Sequence, residues 1–333
     1  MLQLFYSFII PVYNRPDEIK ELLASFLEQK SNIPFEIILV EDGSDISCKS
    51  VVESFSKQLD VRYYFKENSG PGLSRNYGMQ KAKGTYFIIL DSDVLLPKDY
   101  LKIVNDKLVT AYVDAFGGVD MAHCSFTAIQ KAINFAMTSV LTTGGLRNTA
   151  DSADFFQLRS FNMGISKKVF EATTGFSKQR FGEDIELSHR IKKMGFSSCL
   201  FSDAIVYHKR RANFEQFFSQ TFNFGRARPI LNKMYKNTAK ITYWFPSVFV
   251  FGLFVSVLLS FYGILSFLAV YILYFLLVFV LASVKEKNIK VGFLSIVAVF
   301  TQFLGYGIGF FRSQVRLHIQ HKSIKETFPK MFY

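Results

Sequence analysis

FIILDSDVLLP (87–97) sets two carboxylates, Asp91 and Asp93, one residue apart at the end of an apolar run. The run reads as a buried strand that stops at the first acid. Alternate residues of an extended chain point to opposite faces, so both acids reach one place only if the chain turns after Asp91. A pair of carboxylates on such a turn suits a hard divalent cation, Mg2+ or Mn2+, which takes oxygen ligands and completes its shell with substrate phosphate. Two solvated turn aspartates would look the same in isolation, so the surrounding pattern has to decide.

Upstream, strands and amphipathic helices alternate. Strands are expected over 5–13, 35–42, 61–67 and 85–91, and helices over 16–29, 51–59 and 73–82, the first burying Ile19, Leu22, Leu23 and Phe26 on one face. This order implies an α/β fold, a doubly wound and mostly parallel sheet. Ligands of such sheets bind beyond the carboxyl ends of the strands. Asn14, Glu41, Asp42, Asn68, Asp91 and Asp93 all stand at strand ends, so four strands are expected to converge on one site.

The segment NSGPGLSRNYG (68–78) opens the third helix, where backbone N–H groups, two glycines and Arg75 can receive a diphosphate or merely form a capped loop. It is neither a dinucleotide fingerprint nor a P-loop. Further on, a helix is expected near 126–141. It leads into TTGGLRNTADSAD (142–154), an acceptor-side lid or a plain surface insertion. GEDIELSHR (182–190) opens a helix with Glu183 and Asp184 in its first turn, Ile185, Ile191 and Met194 facing inward, and Gly195 as its end. First-turn acids complement the helix dipole, and they can also supply a general base. A strand, CLFSDAIVYH (199–208), then ends at His208.

The last third has a different composition. Half of the 333 residues are hydrophobic and 38 are phenylalanine, yet no charge occurs between Lys240 and Lys285. As one helix, 241–284 would run about 65 Å, roughly twice a bilayer core. Two spans, 244–262 and 264–284, turning at Tyr262 and Gly263, are the natural expectation, with a third at 291–311 whose Gly305, Gly307 and Gly309 permit close helix approach or a bend. Before them, NFEQFFSQTFNFG (213–225) places Phe214, Phe217, Phe218 and Phe222 at helical spacing, as an interfacial helix or a core helix would.

The net charge is +12, and Lys209, Arg210, Arg211, Arg226, Arg228, Lys233, Lys236 and Lys240 lie just before the first span, which points to a membrane surface and away from nucleic acid. Cys48, Cys124 and Cys199 show no metal-binding spacing and suit a reducing compartment. The start of the chain lacks the pattern of a secretory signal, so the first two thirds are expected in the cytosol.

Taken in order, IPVYNR, VEDGS, NSGPGLSRNYG, LDSD, NMGISKKVFEATTGF and GEDIELSHR resemble the family 2 glycosyltransferases of the GT-A fold over about residues 5–230. The resemblance implies an inverting hexosyl transfer from a nucleotide sugar. Pro11, Tyr13, Asn14, Glu41 and Asp42 fall where that family binds the nucleotide, with Arg75 and Asp91 closing over it. Asp93 falls on its metal position, Asp184 on its base and Glu183 beside it, while His208 matches a late metal or phosphate contact.

The expected organisation is a catalytic domain over 1–230, with an interfacial helix near 212–225, and a membrane region over 241–333 with a basic tail. The expected setting is the cytosolic face of the inner (plasma) membrane, with a lipid-linked or envelope glycan as acceptor. QTFNFGRAR (220–228) stands where processive synthases of the family carry Q-x-x-R-W, which argues for transfer of one sugar over chain extension. A nucleotide-sugar-binding membrane protein without catalysis is the alternative from another class.

Overall fold

The computed structural model describes residues 4–143 and 157–332. They fall into two compact units, one made of 4–123 and 157–209, the other of 124–143 and 210–332. The segment 142–154, expected as a lid or an insertion, lies outside the described residues from 144 onward.

The first unit runs β1 (Tyr6–Val12), α1 (Pro16–Leu27), β2 (Phe35–Asp42), α2 (Lys49–Phe55), β3 (Val61–Lys66), α3 (Pro71–Lys81), β4 (Tyr86–Leu90), β5 (Val94–Leu95), α4 (Tyr100–Thr110) and β6 (Ala115–Met121). The chain then gives α5 (Ala128–Thr138) and α6 (Val140–Thr143) to the second unit. It returns to the first as β7 (Asn162–Ser166), α7 (Lys167–Thr173), α8 (Glu183–Lys193) and β8 (Ser198–His208).

The strand order is β3-β2-β1-β4-β7-β6-β8-β5. The half from β3 to β4 is wholly parallel; beyond it, β7 pairs antiparallel with both β4 and β6, β8 parallel with β6, and β5 antiparallel with β8. Both faces are covered, as the unbroken apolar runs of the parallel strands require. Phe8, Ile10, Ile37, Leu39, Ile88 and Leu90 pack on one side with Leu22 and Phe26 of α1 and Val104 of α4. Their neighbours Ile9, Ile38, Val40, Phe87 and Ile89 pack on the other with Met79 of α3 and Leu187 and Ile191 of α8. Period-two alternation between two dry faces is what a doubly wound sheet demands of its central strands.

Two details differ from expectation. Met194 is 51% exposed, because α8 ends at Lys193 and the chain leaves the core before reaching it. The two-residue β5 carried no signal of its own, being too short for any periodicity, and its partner β8 creates it.

The second unit adds α9 (Phe214–Met234), α10 (Phe245–Ser260), α11 (Ser266–Glu286), α12 (Ile289–Gln314) and α13 (Ile324–Thr327) to α5 and α6. Three segments, Ile241–Ser260, Ser266–Glu286 and Ile289–Ile319, are long and apolar enough to cross a membrane. They are unequally covered: 11% of the apolar window is buried in each of the first two and 50% in the third. The cover on the third comes from α5, α10, α11 and above all α9, whose backbone meets that of α12. A Cβ at Gly225 would lie 2.2 Å from the carbonyl oxygen of Tyr306, and one at Gly309 2.2 Å from that of Phe222. A Cβ at Gly305 would lie 2.3 Å from the Thr221 hydroxyl. Small residues on both helices let the axes approach to backbone contact, the use expected of these glycines.

Candidate active site

β4 ends at Leu90, and Asp91, Ser92 and Asp93 form the turn into β5. The turn aims the two acids at different cations. Asp91 accepts from Arg75 Nη2 at 2.6 Å, and the same guanidinium donates from Nη1 to Glu183 at 3.1 Å. Arg75 is almost fully buried on α3 and lies over the Phe176 ring, 5.2 Å from its centroid. Burial alone would lower its pKa; Asp91 and Glu183 outweigh it and hold the cation above its ordinary value. One side chain thus joins the acid at the end of β4 to the acid at the start of α8, 108 residues from Arg75.

Asp93 is bound by Arg15, which follows β1, and its other oxygen, Oδ1, lies 3.2 Å from His208 Nε2. β5 explains the second contact. Val94 pairs with His208, and the Lys209 N–H donates to the Asp93 carbonyl at 2.9 Å, which brings the end of β8 against the acid turn. Burial would raise the Asp93 carboxyl, but His208 and Arg15 beside it hold it well below the usual carboxylate range.

Ligand atoms of Asp91, Asp93 and His208 lie within 4.8 Å of one another, and Asp93 Oδ1 is buried beside His208. Two carboxylates and an imidazole gathered this closely fit a divalent cation. Asp120 of β6, 3.9 Å from His208 Nδ1, stands on the imidazole's far side.

α8 starts from Gly182, whose φ of 74° is the left-handed conformation that turns the chain sharply into the helix. Glu183 is buried; desolvation first, then the charge of Asp184, push its carboxyl up to about 7 against the opposing pull of Arg75. Asp184 is half-buried, takes the Ser160 N–H at 3.4 Å on one oxygen and caps its own helix through the Ile185 N–H at 2.8 Å on the other.

At the other strand ends the acids are occupied within the protein. Glu41 is buried and accepts from the Cys48 N–H, Ser47 and Tyr63, which together hold its carboxyl below the usual range despite burial. Asp42 pairs with Lys66 at 2.5 Å and accepts the N–H groups of Ser69 and Gly70. Asp42 thus occupies the two N–H groups just before α3. Asn14, at φ 54°, accepts from the Asp45 and Ile46 N–H groups and ties the loop after β1 to the loop after β2. Pro11 lies inside β1, buried, and Tyr13 is 48% exposed just beyond it.

The structure therefore brings Arg75, Asp91 and Glu183 into one contact group and Asp93 and His208 into another, joined through the Asp91–Asp93 turn. It adds residues to which the sequence assigned no role: Arg15, Asp120 and Ser160. Arg15 had a usable signal, a cation directly after the first strand, level with the acids after the fourth.

A sheet of this order with an acid turn at the end of its fourth strand is a GT-A sheet. The mannosyltransferase PcManGT of Pyrobaculum calidifontis, solved with GDP-mannose and Mn2+, shares the fold with a TM-score of 0.62 at 17% identity over 90% of this chain and 87% of its own. The chain belongs to Glycosyl transferase family 2, whose profile matches residues 7–174. An uncharacterized glycosyltransferase of Rickettsia felis is 40% identical over 97 residues, 29% of this chain and 16% of that protein. The succinoglycan biosynthesis protein ExoA of Rhizobium meliloti is 24% identical over 226 residues, 66% of this chain and 68% of its own. The chain thus spans about a sixth of the Rickettsia relative and about two thirds of ExoA.

Proposed function

We propose that this chain is an inverting glycosyltransferase that moves one hexose from a nucleotide-diphosphate sugar to a lipid-linked or envelope glycan at the cytosolic face of the inner (plasma) membrane. The observation that carries this reading is the Arg75 guanidinium bridging Asp91 and Glu183, because it links the acid turn at the end of β4 to the acid pair of α8. Family membership and relatives named for polysaccharide biosynthesis support it.

In this reading Asp184 is the general base. It takes the proton of the acceptor hydroxyl as that oxygen attacks the anomeric carbon from the side opposite the leaving nucleotide, and a single displacement inverts the configuration. Glu183, protonated over part of the neutral range, spares Asp184 a second full charge alongside it. Asp93 and His208, with Asp91 beside them, would hold a divalent cation, Mg2+ or Mn2+, whose charge when bound offsets that of a nucleoside diphosphate. Pro11, Tyr13 and Asn14 form the nucleotide's edge of the site, and Glu41 and Asp42 shape it by bracing the loops after β2 and β3.

The division of labour we propose is catalysis in 1–230, with α9 lying along the interface, and membrane attachment in 241–333. α10 and α11 cross as a hairpin. The half-covered α12 lies along the interface, because basic residues flank it on both sides, Lys285, Lys287 and Lys290 before it and Arg312, Arg316 and Lys322 after it. A C-terminal reporter scoring in the cytosol is the expected result; a reporter on the outer side means three crossings.

The test of function is donor hydrolysis by the purified chain over a panel of nucleotide sugars, with and without Mn2+. One donor is expected to be consumed in a metal-dependent way. Asp93→Asn and Asp184→Asn variants that keep the wild-type rate would overturn the catalytic assignment of these two acids, and a wild-type chain that consumes no donor would favour a binding protein without catalysis.

A further inference from the structure

The second unit holds a cluster of arginines that the proposed reaction does not use. Arg226 of α9 donates from Nη2 to the carbonyl oxygen of Thr327 at 3.0 Å, and Arg316, just past α12, donates from Nη1 to the same oxygen at 3.3 Å and to that of Glu326 at 3.3 Å. Two guanidinium groups therefore share one acceptor. The exposed Arg312 stands in the last turn of α12, four residues and about one helical turn before Arg316, which puts it on the same side of the helix end. Burial first, then the like charges of Arg312 and Arg316, push the Arg226 guanidinium below its ordinary value.

Such a group normally comes with carboxylates. Among the described residues none pairs with any of these three arginines. Glu326 belongs to the same short helix, but its carboxylate accepts from the Ser323 N–H in a capping box. The Arg226 plane is held by Phe328, 3.8 Å from its centroid, and flanked by Phe222, while its Nε is buried without a partner. A planar cation fixed by aromatic rings, with a donor left over and two more guanidinium groups beside it, is prepared for an anion with several oxygens. Two carbonyls at the end of α13 orient Arg226 and Arg316, and the charge of the Glu326 carboxylate, held low in part by Arg316, leaves the three cations in excess.

Exposed apolar residues neighbour these arginines in the chain, Phe224 beside Arg226 on α9 and Phe311 and Ile319 beside Arg312 and Arg316, so the anion that comes here arrives beside a lipid surface. We propose that Arg226, Arg312 and Arg316 form a binding site for the phosphate group of a membrane lipid, separate from the donor site. This rests on reading the second unit as membrane-bound and does not depend on the assignment of the acids of the first unit. The phosphate can belong to a phospholipid headgroup or to a phosphorylated polyprenyl carrier.

The experiment is thermal unfolding of the full chain in a neutral detergent, titrated separately with phosphatidylglycerol, a polyprenyl phosphate, phosphatidylcholine and inorganic phosphate. One of the two anionic lipids is expected to raise the melting temperature in a saturable way. An Arg312→Gln/Arg316→Gln variant is expected to need about ten times more of it for half the shift, as loss of charged hydrogen bonds implies. Both arginines are at least partly exposed, so this variant keeps the fold.

A shift from phosphatidylglycerol identifies the headgroup as the source, and one from the polyprenyl phosphate alone identifies the carrier; either supports the site. Equal shifts in variant and wild type, an equal shift from phosphatidylcholine, or an equal shift from inorganic phosphate would overturn it. Donor hydrolysis measured on the same variant is expected to be unchanged, so failure here and failure of the glycosyltransferase reading remain distinguishable.

Discussion

In the first unit the elements that carry the acids are tied by buried charge, Arg75 reaching from α3 to Asp91 on one side and Glu183 on the other. In the second, α9 and α12 meet through bare backbone, with Gly225, Gly305 and Gly309 leaving no room for a Cβ. A charge network needs every member, because deleting one strands the rest in a low dielectric. It also responds to pH. A glycine seam has no titratable part and fails only through volume. The contrast suits a catalytic unit that must hold polar groups ready and a membrane unit that cannot draw on water to satisfy them.

The sharpest way to break the comparison is Arg75→Met. It leaves Asp91 and Glu183 without their shared cation, and the expected loss is about 3 kcal/mol of stability, tempered by the partial exposure of Asp91, together with loss of donor turnover. Chemical unfolding and a donor-hydrolysis assay check both; a variant as stable as wild type would mean that the bridge does not hold the unit together.

Gly225→Leu comes next. Its side chain starts 2.2 Å from the Tyr306 carbonyl, so α9 and α12 must separate, at an expected cost of roughly 1–3 kcal/mol. Melting of the detergent-solubilised chain measures it, and the pH dependence of stability should stay that of wild type.

The smallest effect concerns Glu183, whose carboxyl is pushed up from 4.5 to about 7 in the folded chain. The folded state then holds a proton that the unfolded state has lost, so stability falls as pH rises from about 4.5 to about 7 and is flat beyond. Glu183→Gln is expected to flatten that interval, which unfolding curves across the range would reveal; an unchanged slope would assign it to another group.

Much of the first unit is legible in the order of its residues. FEIILVED and FIIL announce parallel strands because both faces are apolar, and the acids after them announce a site because strand ends of such a sheet converge. What Asp42 does was not legible: a carboxylate at a strand end looks alike whether it meets a ligand or caps the next loop, and here it caps the N–H groups of Ser69 and Gly70. Met194 was misjudged because helical spacing continues on paper past the point where the helix stops. Asp120 could not be linked to His208 because the contact spans many residues and depends on strand order.

The sequence alone determined the α/β class, the positions of the acids at strand ends, the apolar segments able to cross a bilayer and the family, since all of these are local patterns of polarity and chain direction. Tertiary structure decided which acid meets which cation, that a two-residue strand delivers His208 to Asp93, and that two arginines from distant helices share one carbonyl oxygen. The physical reason is reach. Periodicity reports what a residue's own element demands, whereas a hydrogen bond or an ion pair exists only when two elements distant in the chain arrive within about 3 Å of each other.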